Sequence, residues 1–140
     1  NDLAKDLGTR VQSDRMPLMT ALQMSLLAAR MHGVICVDGV YNAFKDEDGL
    51  RAECEQGRAL GMDGKSLIHP AQVDITNAVF APDADEIALA ERQIAAFEEA
   101  KAAGQGVAVV DGKIVENLHV ATAEVLLAKA RAIAELEKAA

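Results

Sequence analysis

Aromatic residues make up only 3% of the chain, and tryptophan is absent. That disfavours proteins that read RNA or single-stranded DNA by stacking bases on aromatic side chains. Basic charge is also scarce: 14 Lys and Arg stand against 22 Asp and Glu, for a net charge of −8. Such a chain is a poor generic partner for nucleic acid or an anionic membrane. A local site for a phosphorylated small molecule remains compatible with that balance. The two cysteines, Cys36 and Cys54, form no CxxC and no zinc-type spacing with histidine. They read as buried free thiols, which fits a reducing, cytoplasmic compartment. No apolar run nears the roughly 20 residues of a membrane helix. No signal peptide opens the chain, and no GxGxxG, P-loop or nucleophile elbow occurs. The first residue is Asn1 rather than Met, so a piece of a longer protein is expected.

What remains is a 140-residue chain with 51% hydrophobic residues, long enough to bury a core. Residues 1–13 read as a loop with a short turn. Ser13 or Asp14 can cap a helix with Pro17 in its first turn, Leu18, Leu22, Leu26 and Ala29 on one face, and Gly33 as its stop. The methionines at 16, 19, 24 and 31 read as core filler. The apolar run Val34–Val37 suits a strand buried on both faces. The acidic run Asp46-Glu47-Asp48 looks superficially like a hard-metal cluster, but it suits the N-terminus of a helix over about 49–60 better. Lys65–Ile68 reads as a second strand, closed by His69-Pro70 and followed by a brief helix over 72–79. Strands alternating with helices predict a parallel α/β arrangement over 1–81.

A different unit begins at Pro82-Asp83. Ile87, Ala90, Ile94 and Phe97 mark one helix face. Asp111-Gly112 between Val107–Val110 and Lys113–Val115 is a hairpin signal. Asn117 can cap a last helix with Leu118, Val125, Leu126, Ile133 and Leu136 as its face. Residues 82–140 thus read as an α-β-β-α extension serving as a lid or subunit contact.

Polar residues at the C-terminal ends of parallel strands line the sites of α/β enzymes. Asp38 and His69 end the two expected strands, and Asp2 sits where a preceding strand would end. Individually, an Asp there suits a cap or turn, and a His beside Pro suits a structural hydrogen bond. Their equivalent placement makes them a candidate site. Glu116, by residue type alone, reads as a surface carboxylate beside a helix cap.

Several segments occur in a telling order: Asn1-Asp2-Leu3, Val37-Asp38-Gly39-Val40-Tyr41, Gly61-Met62-Asp63-Gly64-Lys65, Ile68-His69-Pro70-Ala71-Gln72, Val79-Phe80-Ala81-Pro82 and Asp111-Gly112-Lys113-Ile114-Val115-Glu116. Together they resemble the C-terminal half of the citrate lyase beta-subunit and malyl-CoA lyase (HpcH/HpaI aldolase) family. The resemblance runs along essentially the whole chain. It implies the closing units of a TIM (β/α)8 barrel followed by the α-β-β-α extension. It also implies Mg²⁺, with Mn²⁺ as a substitute, held by Asp2 and by a Glu upstream of this chain. His69, Pro70 and Gln72 would shape the pocket for a CoA thioester, with Asp38 beside them. A homo-oligomer, trimer or hexamer, is the family expectation, with no nucleic-acid or membrane partner.

In malyl-CoA lyases the strand after the hairpin turn ends in an Asp that serves as acid–base group in a neighbouring subunit's site. Here Glu116 stands in that place, and its carboxylate lies about 1.5 Å further out. Misplacing a catalytic group by about 1 Å can cost a hundredfold. Asp111–His119 and Asn1–Lys5 look most like the (3S)-malyl-CoA thioesterase branch, so hydrolysis to malate and CoA is the expected reaction. The alternatives are carbon–carbon cleavage of malyl-CoA or a related 3-hydroxyacyl-CoA, and a non-catalytic oligomerisation module. Alone, the chain is expected to be inactive.

Overall fold

In a computed structural model, residues 2–139 are described; Asn1, the first residue of the Asn1-Asp2-Leu3 match, lies outside them. The chain is a mostly helical α/β protein that divides into two compact units, Asn1–Phe80 and Ala81–Ala140.

The first unit opens with α1 (Asp2–Asp6), a five-residue helix where the sequence suggested a loop with a short turn. A single 3-10 turn (Met16–Leu18) leads into α2 (Met19–Met31). Asp14 Oδ1 accepts the Met16 N–H at 3.0 Å, but the 3-10 turn starts from Arg15 and α2 from Leu18, neither with a side-chain cap, so neither Ser13 nor Asp14 caps the helix as expected. β1 (Val37–Asp38) follows, then α3 (Glu47–Leu60), β2 (Gly64–Lys65), a second 3-10 turn (Pro70–Gln72) and α4 (Val73–Phe80). β1 and β2 pair in parallel, with Val37 opposite Gly64 and Asp38 opposite Lys65. α3 begins where the acidic run lies. Asp46 accepts the Gly49 N–H, Glu47 and Asp48 occupy the first turn near the positive end of the dipole, and Gly61 ends the helix at φ 101°. The core joins Leu26, Leu50, Cys54, Met62, Val79 and Phe80, each worth roughly 1.5–3 kcal/mol when a large apolar side chain is fully buried.

Three expectations fail here. The strand is two residues long, and Val34, Ile35 and Val37 are exposed rather than buried on both faces. Cys36 and Asp38 point inward while Ile35 and Val37 point out, the alternation of a strand covered on one side. With β2 as β1's only partner among the described residues, the ladder closes early, and Ser66–Ile68 likewise leave it. Met16 in the 3-10 turn is exposed, and so are Met24 and Met31, Met31 to 83%, because α2 turns Leu22 and Leu26 to the core and these two away; Met19 is half-buried. Cys54 is buried, but Cys36 is only half-buried.

The second unit begins with α5 (Ala84–Ala102), whose start is a reciprocal cap. Asp83 accepts the Glu86 N–H at 2.8 Å, and Glu86 accepts the Asp83 N–H at 2.9 Å. β3 (Ala108–Val110) and β4 (Lys113–Val115) form the expected hairpin, with Asp111 and Gly112 both at positive φ, 51° and 74°. Arg92 on α5 grips the Asp111 carboxylate with two hydrogen bonds, 2.8 and 2.9 Å. α6 (Asn117–Ala139) completes the unit. Phe97, Ala100, Ala108, Val110, Val115 and Val120 make its core.

The α5 face lies as expected, but of the expected α6 face only Leu126 and Ile133 are half-buried. Val120 and Ala123 are buried, while Leu118, Val125 and Leu136 are exposed. α6 packs along α5, and its buried side carries Val120 and Ala123, while Leu118, Val125 and Leu136 lie off it. Asn117 is the first helical residue rather than the cap. At Glu116, one residue earlier, the carbonyl accepts the His119 N–H and the backbone N–H donates to His119 Nδ1. No described helix is long and apolar enough to cross a membrane.

Candidate active site

The sequence Ile68-His69-Pro70-Ala71-Gln72 turns sharply because Pro70 fixes φ at the first position of the 3-10 turn and His69 caps it. His69 Nδ1 accepts the Ala71 N–H at 3.2 Å. Gln72 is wholly buried, which an amide tolerates only when its polar atoms are bonded. Its Oε1 accepts the backbone N–H groups of Ile68 (3.0 Å) and His69 (3.2 Å), and its Nε2 donates to the Tyr41 carbonyl (2.9 Å). One side chain thereby ties the loop after β2 to the loop after β1. A second tie is the Phe44 ring, stacked on the His69 imidazole with centroids 4.5 Å apart and planes at 23°. The Lys45 ammonium lies 5.8 Å from the Phe44 centroid. Asn42–Asp46 also line a shallow open depression.

The β1 loop has its own internal brace. The Tyr41 hydroxyl donates to Asp46 Oδ2 at 2.7 Å, while Asp46 Oδ1 accepts from Gly49. Tyr41 passes so close over Gly49 that a Cβ there would fall 2.0 Å from its hydroxyl oxygen. The bond to Asp46 and then burial push the Tyr41 phenol up to about 12 from 10.0. The same bond and the Gly49 N–H hold Asp46 below the ordinary carboxylate value. Tyr41 is the chain's one tyrosine and tryptophan is absent, so phenolate absorbance of this chain reads Tyr41 alone. Its midpoint is expected near 12 in the folded chain and to return toward 10.0 in Asp46→Asn. Because the folded value is raised, the stabilisation from this bond is complete below 10.0 and disappears as pH rises through about 12.

Asp38 sits apart from the turn, buried at the end of β1. Arg15 Nη1 reaches both of its oxygens at 2.8 Å, Lys65 Nζ donates to Oδ2 at 3.1 Å, and the Gly39 N–H donates to Oδ1 at 2.8 Å. Lys65 also pairs with Glu53, and Arg15 Nε donates to Gln56 Oε1 at 2.7 Å. Arg15 Nη2 is buried without a hydrogen-bond partner, and its backbone stands at φ 54°, a conformation that costs an ordinary residue about 1–3 kcal/mol. The cluster holds two cations and two carboxylates, so its charges balance. Gly57 packs closely on it: a Cβ at that point on α3 would lie 3.0 Å from Asp38 Oδ2, and Asp38 would have to give by a few tenths of an ångström.

The structure therefore brings His69, Pro70 and Gln72 together and sets Asp38 in an ion cluster at the end of the neighbouring strand. Asp2 is exposed on α1. Glu116 is exposed at the start of α6, in the second unit. Sequence reasoning missed Arg15, Glu53, Phe44 and the role of Lys65. The strand register sets Asp38 opposite Lys65.

Among the described residues, no three His, Cys, Asp or Glu side chains come together to hold a metal ion. Asp2 supplies one hard oxygen donor of the kind Mg²⁺ takes, and a complete site needs further oxygens beyond it.

A match to the HpcH/HpaI aldolase/citrate lyase family covers residues 1–70. The chain is 69% identical over 134 residues to a (3S)-malyl-CoA thioesterase of Cereibacter sphaeroides, covering 96% of this chain and 47% of that protein. It is 41% identical over 112 residues to an L-malyl-CoA/beta-methylmalyl-CoA lyase of the same species, covering 79% of this chain and 35% of that protein. Among solved structures it resembles CitE from Mycobacterium tuberculosis, determined with magnesium, acetoacetate and coenzyme A. There the TM-score is 0.77 at 26% identity, over 91% of this chain and 48% of that one. The chain spans about half the length of these curated thioesterase relatives, 47%. By both the family match and the identity to its relatives, the chain belongs to the HpcH/HpaI aldolase/citrate lyase family.

Proposed function

We propose that the chain is part of an enzyme that hydrolyses (3S)-malyl-CoA to malate and CoA. The observation that carries this reading is the 69% identity to a (3S)-malyl-CoA thioesterase along 96% of the chain. The β1-α3-β2 unit with α4 is read as the closing part of a (β/α)8 barrel, and residues 82–140 as an extension that meets a neighbouring subunit. A trimer or hexamer would supply that neighbour.

In this reading the turn at His69, Pro70 and Gln72 lines the thioester pocket. Asp38 keeps its strand end in place through Arg15 and Lys65. Glu116, delivered from the neighbouring subunit, takes a proton from water as the oxygen bonds to the thioester carbonyl carbon. The carbon–sulfur bond then breaks, and the proton passes to the departing CoA thiolate. Asp2 would contribute one carboxylate toward Mg²⁺, with Mn²⁺ as a substitute; that choice is supported by the magnesium of the CitE structure. Such an ion, when bound, polarises a substrate oxygen.

The test supplies (3S)-malyl-CoA and Mg²⁺ to the whole protein and separates the products. Free CoA with malate is expected. Chelation should abolish turnover, and Mg²⁺ or Mn²⁺ should restore it. Acetyl-CoA with glyoxylate would replace this reading with carbon–carbon cleavage, which the 41% identity to the lyase favours as the second reading.

A further inference from the structure

The turn does more than expose an imidazole. We infer that Phe44 and Gln72 are positioning residues that hold His69 in one neutral tautomer, Nδ1 accepting and Nε2–H presented as a hydrogen-bond donor to an oxygen of the substrate. The naming of that oxygen as part of a CoA thioester rests on the proposed function; the tautomer does not.

The Ala71 N–H points at Nδ1 from 3.2 Å. A nitrogen that accepts from an amide cannot also carry a proton, so in the neutral ring the proton sits on Nε2. Two restraints keep the ring there. Gln72 Oε1 accepts the N–H groups of Ile68 and of His69 itself, which fixes the backbone on which the imidazole stands. Phe44 stacks on the ring face and blocks the rotation that would exchange the two nitrogens. Gln72 Nε2 in turn holds the Tyr41 carbonyl, three residues before Phe44, so both restraints belong to one fastening between the two loops. Nε2 has no protein partner among the described residues, and His69 is exposed. A donor fixed in direction before substrate arrives needs no reorganisation as charge develops on an oxygen. His69 so held offers a proton to hydrogen-bond and no lone pair to take one, which leaves the base to another group.

The test has two arms on the whole protein. ¹⁵N NMR of the histidines near neutral pH, without substrate, should show Nδ1 of His69 unprotonated and Nε2 protonated. Phe44→Leu should turn this into a mixture of tautomers, and Phe44→Tyr should restore the single form. In the kinetic arm, Phe44→Leu should lower kcat/KM about tenfold and Phe44→Tyr should not. Comparing malyl-CoA with malyl-pantetheine, which lacks the phosphates, locates the oxygen. A loss with both substrates places it on the thioester; a loss with malyl-CoA alone places it on a phosphate. A proton on Nδ1 in the unmodified protein overturns the inference. So does a Phe44→Leu variant whose tautomer and kcat/KM are both unchanged. Failure of the hydrolytic reading shows instead in the products and leaves the NMR arm standing.

Discussion

Replacing Glu116 by Gln is expected to lower hydrolytic kcat by about 10²–10⁴-fold, the span typical of a lost general base. Gln keeps the shape and the reach of Glu but takes no proton at neutral pH. The side chain is exposed at the start of α6, so the substitution forfeits only a favourable placement near the helix dipole, and Tm should hardly move. KM should change little, because a base acts on water rather than on the bound thioester. Glu116→Asp is the informative companion. It keeps the charge and withdraws the carboxylate by about 1.5 Å. A partial loss of hydrolysis fits a base whose reach matters. Full activity in Glu116→Gln, measured as CoA release, would remove Glu116 from the reaction.

The second large effect is one of stability. Asp38→Ala is expected to cost about 3–5 kcal/mol in urea unfolding, because it strands Arg15 and Lys65 as buried cations. That is a large share of the roughly 5–15 kcal/mol that holds a domain together. The loss should be partly recovered in Asp38→Ala/Lys65→Met, which removes one cation with its partner and leaves Arg15 beside Glu53. If Asp38→Ala costs less than about 1 kcal/mol, water or a shift of Arg15 satisfies the cluster. Asp38 would then not anchor the end of β1.

Local signals were legible before the structure. Asp111-Gly112 gave the hairpin turn, the acidic run at 46–48 the start of α3, and Ile87, Ala90, Ile94 and Phe97 the buried face of α5. Each rests on neighbours within one turn or a few residues. What depends on distant partners was not legible. Val34–Val37 reads as a fully covered strand, yet its exposure is set by which elements lie beside it. The ion cluster joins Arg15, Asp38, Glu53 and Lys65 from four separate elements and loops, and nothing near any one of them announces the others. In the candidate site the family signature drew attention to His69, Pro70 and Gln72 but not to Phe44, which enters only through ring geometry. The α6 face was misread in part because Leu118, Val125 and Leu136 lie off the side that carries Val120 and Ala123, which is set by where α5 lies.

Gly57 gives α3 a history as well as a shape. A glycine within a helix costs roughly 0.5–1 kcal/mol against alanine, so drift should readily replace it. At 57 the replacing methyl would meet Asp38 Oδ2 at 3.0 Å. An alanine there would require Asp38 or α3 to give by a few tenths of an ångström within a braced cluster. Regaining the carboxylate beside that methyl would meet the same crowding. The order of mutations is thus weighted by one missing carbon, and the two positions are expected to vary together.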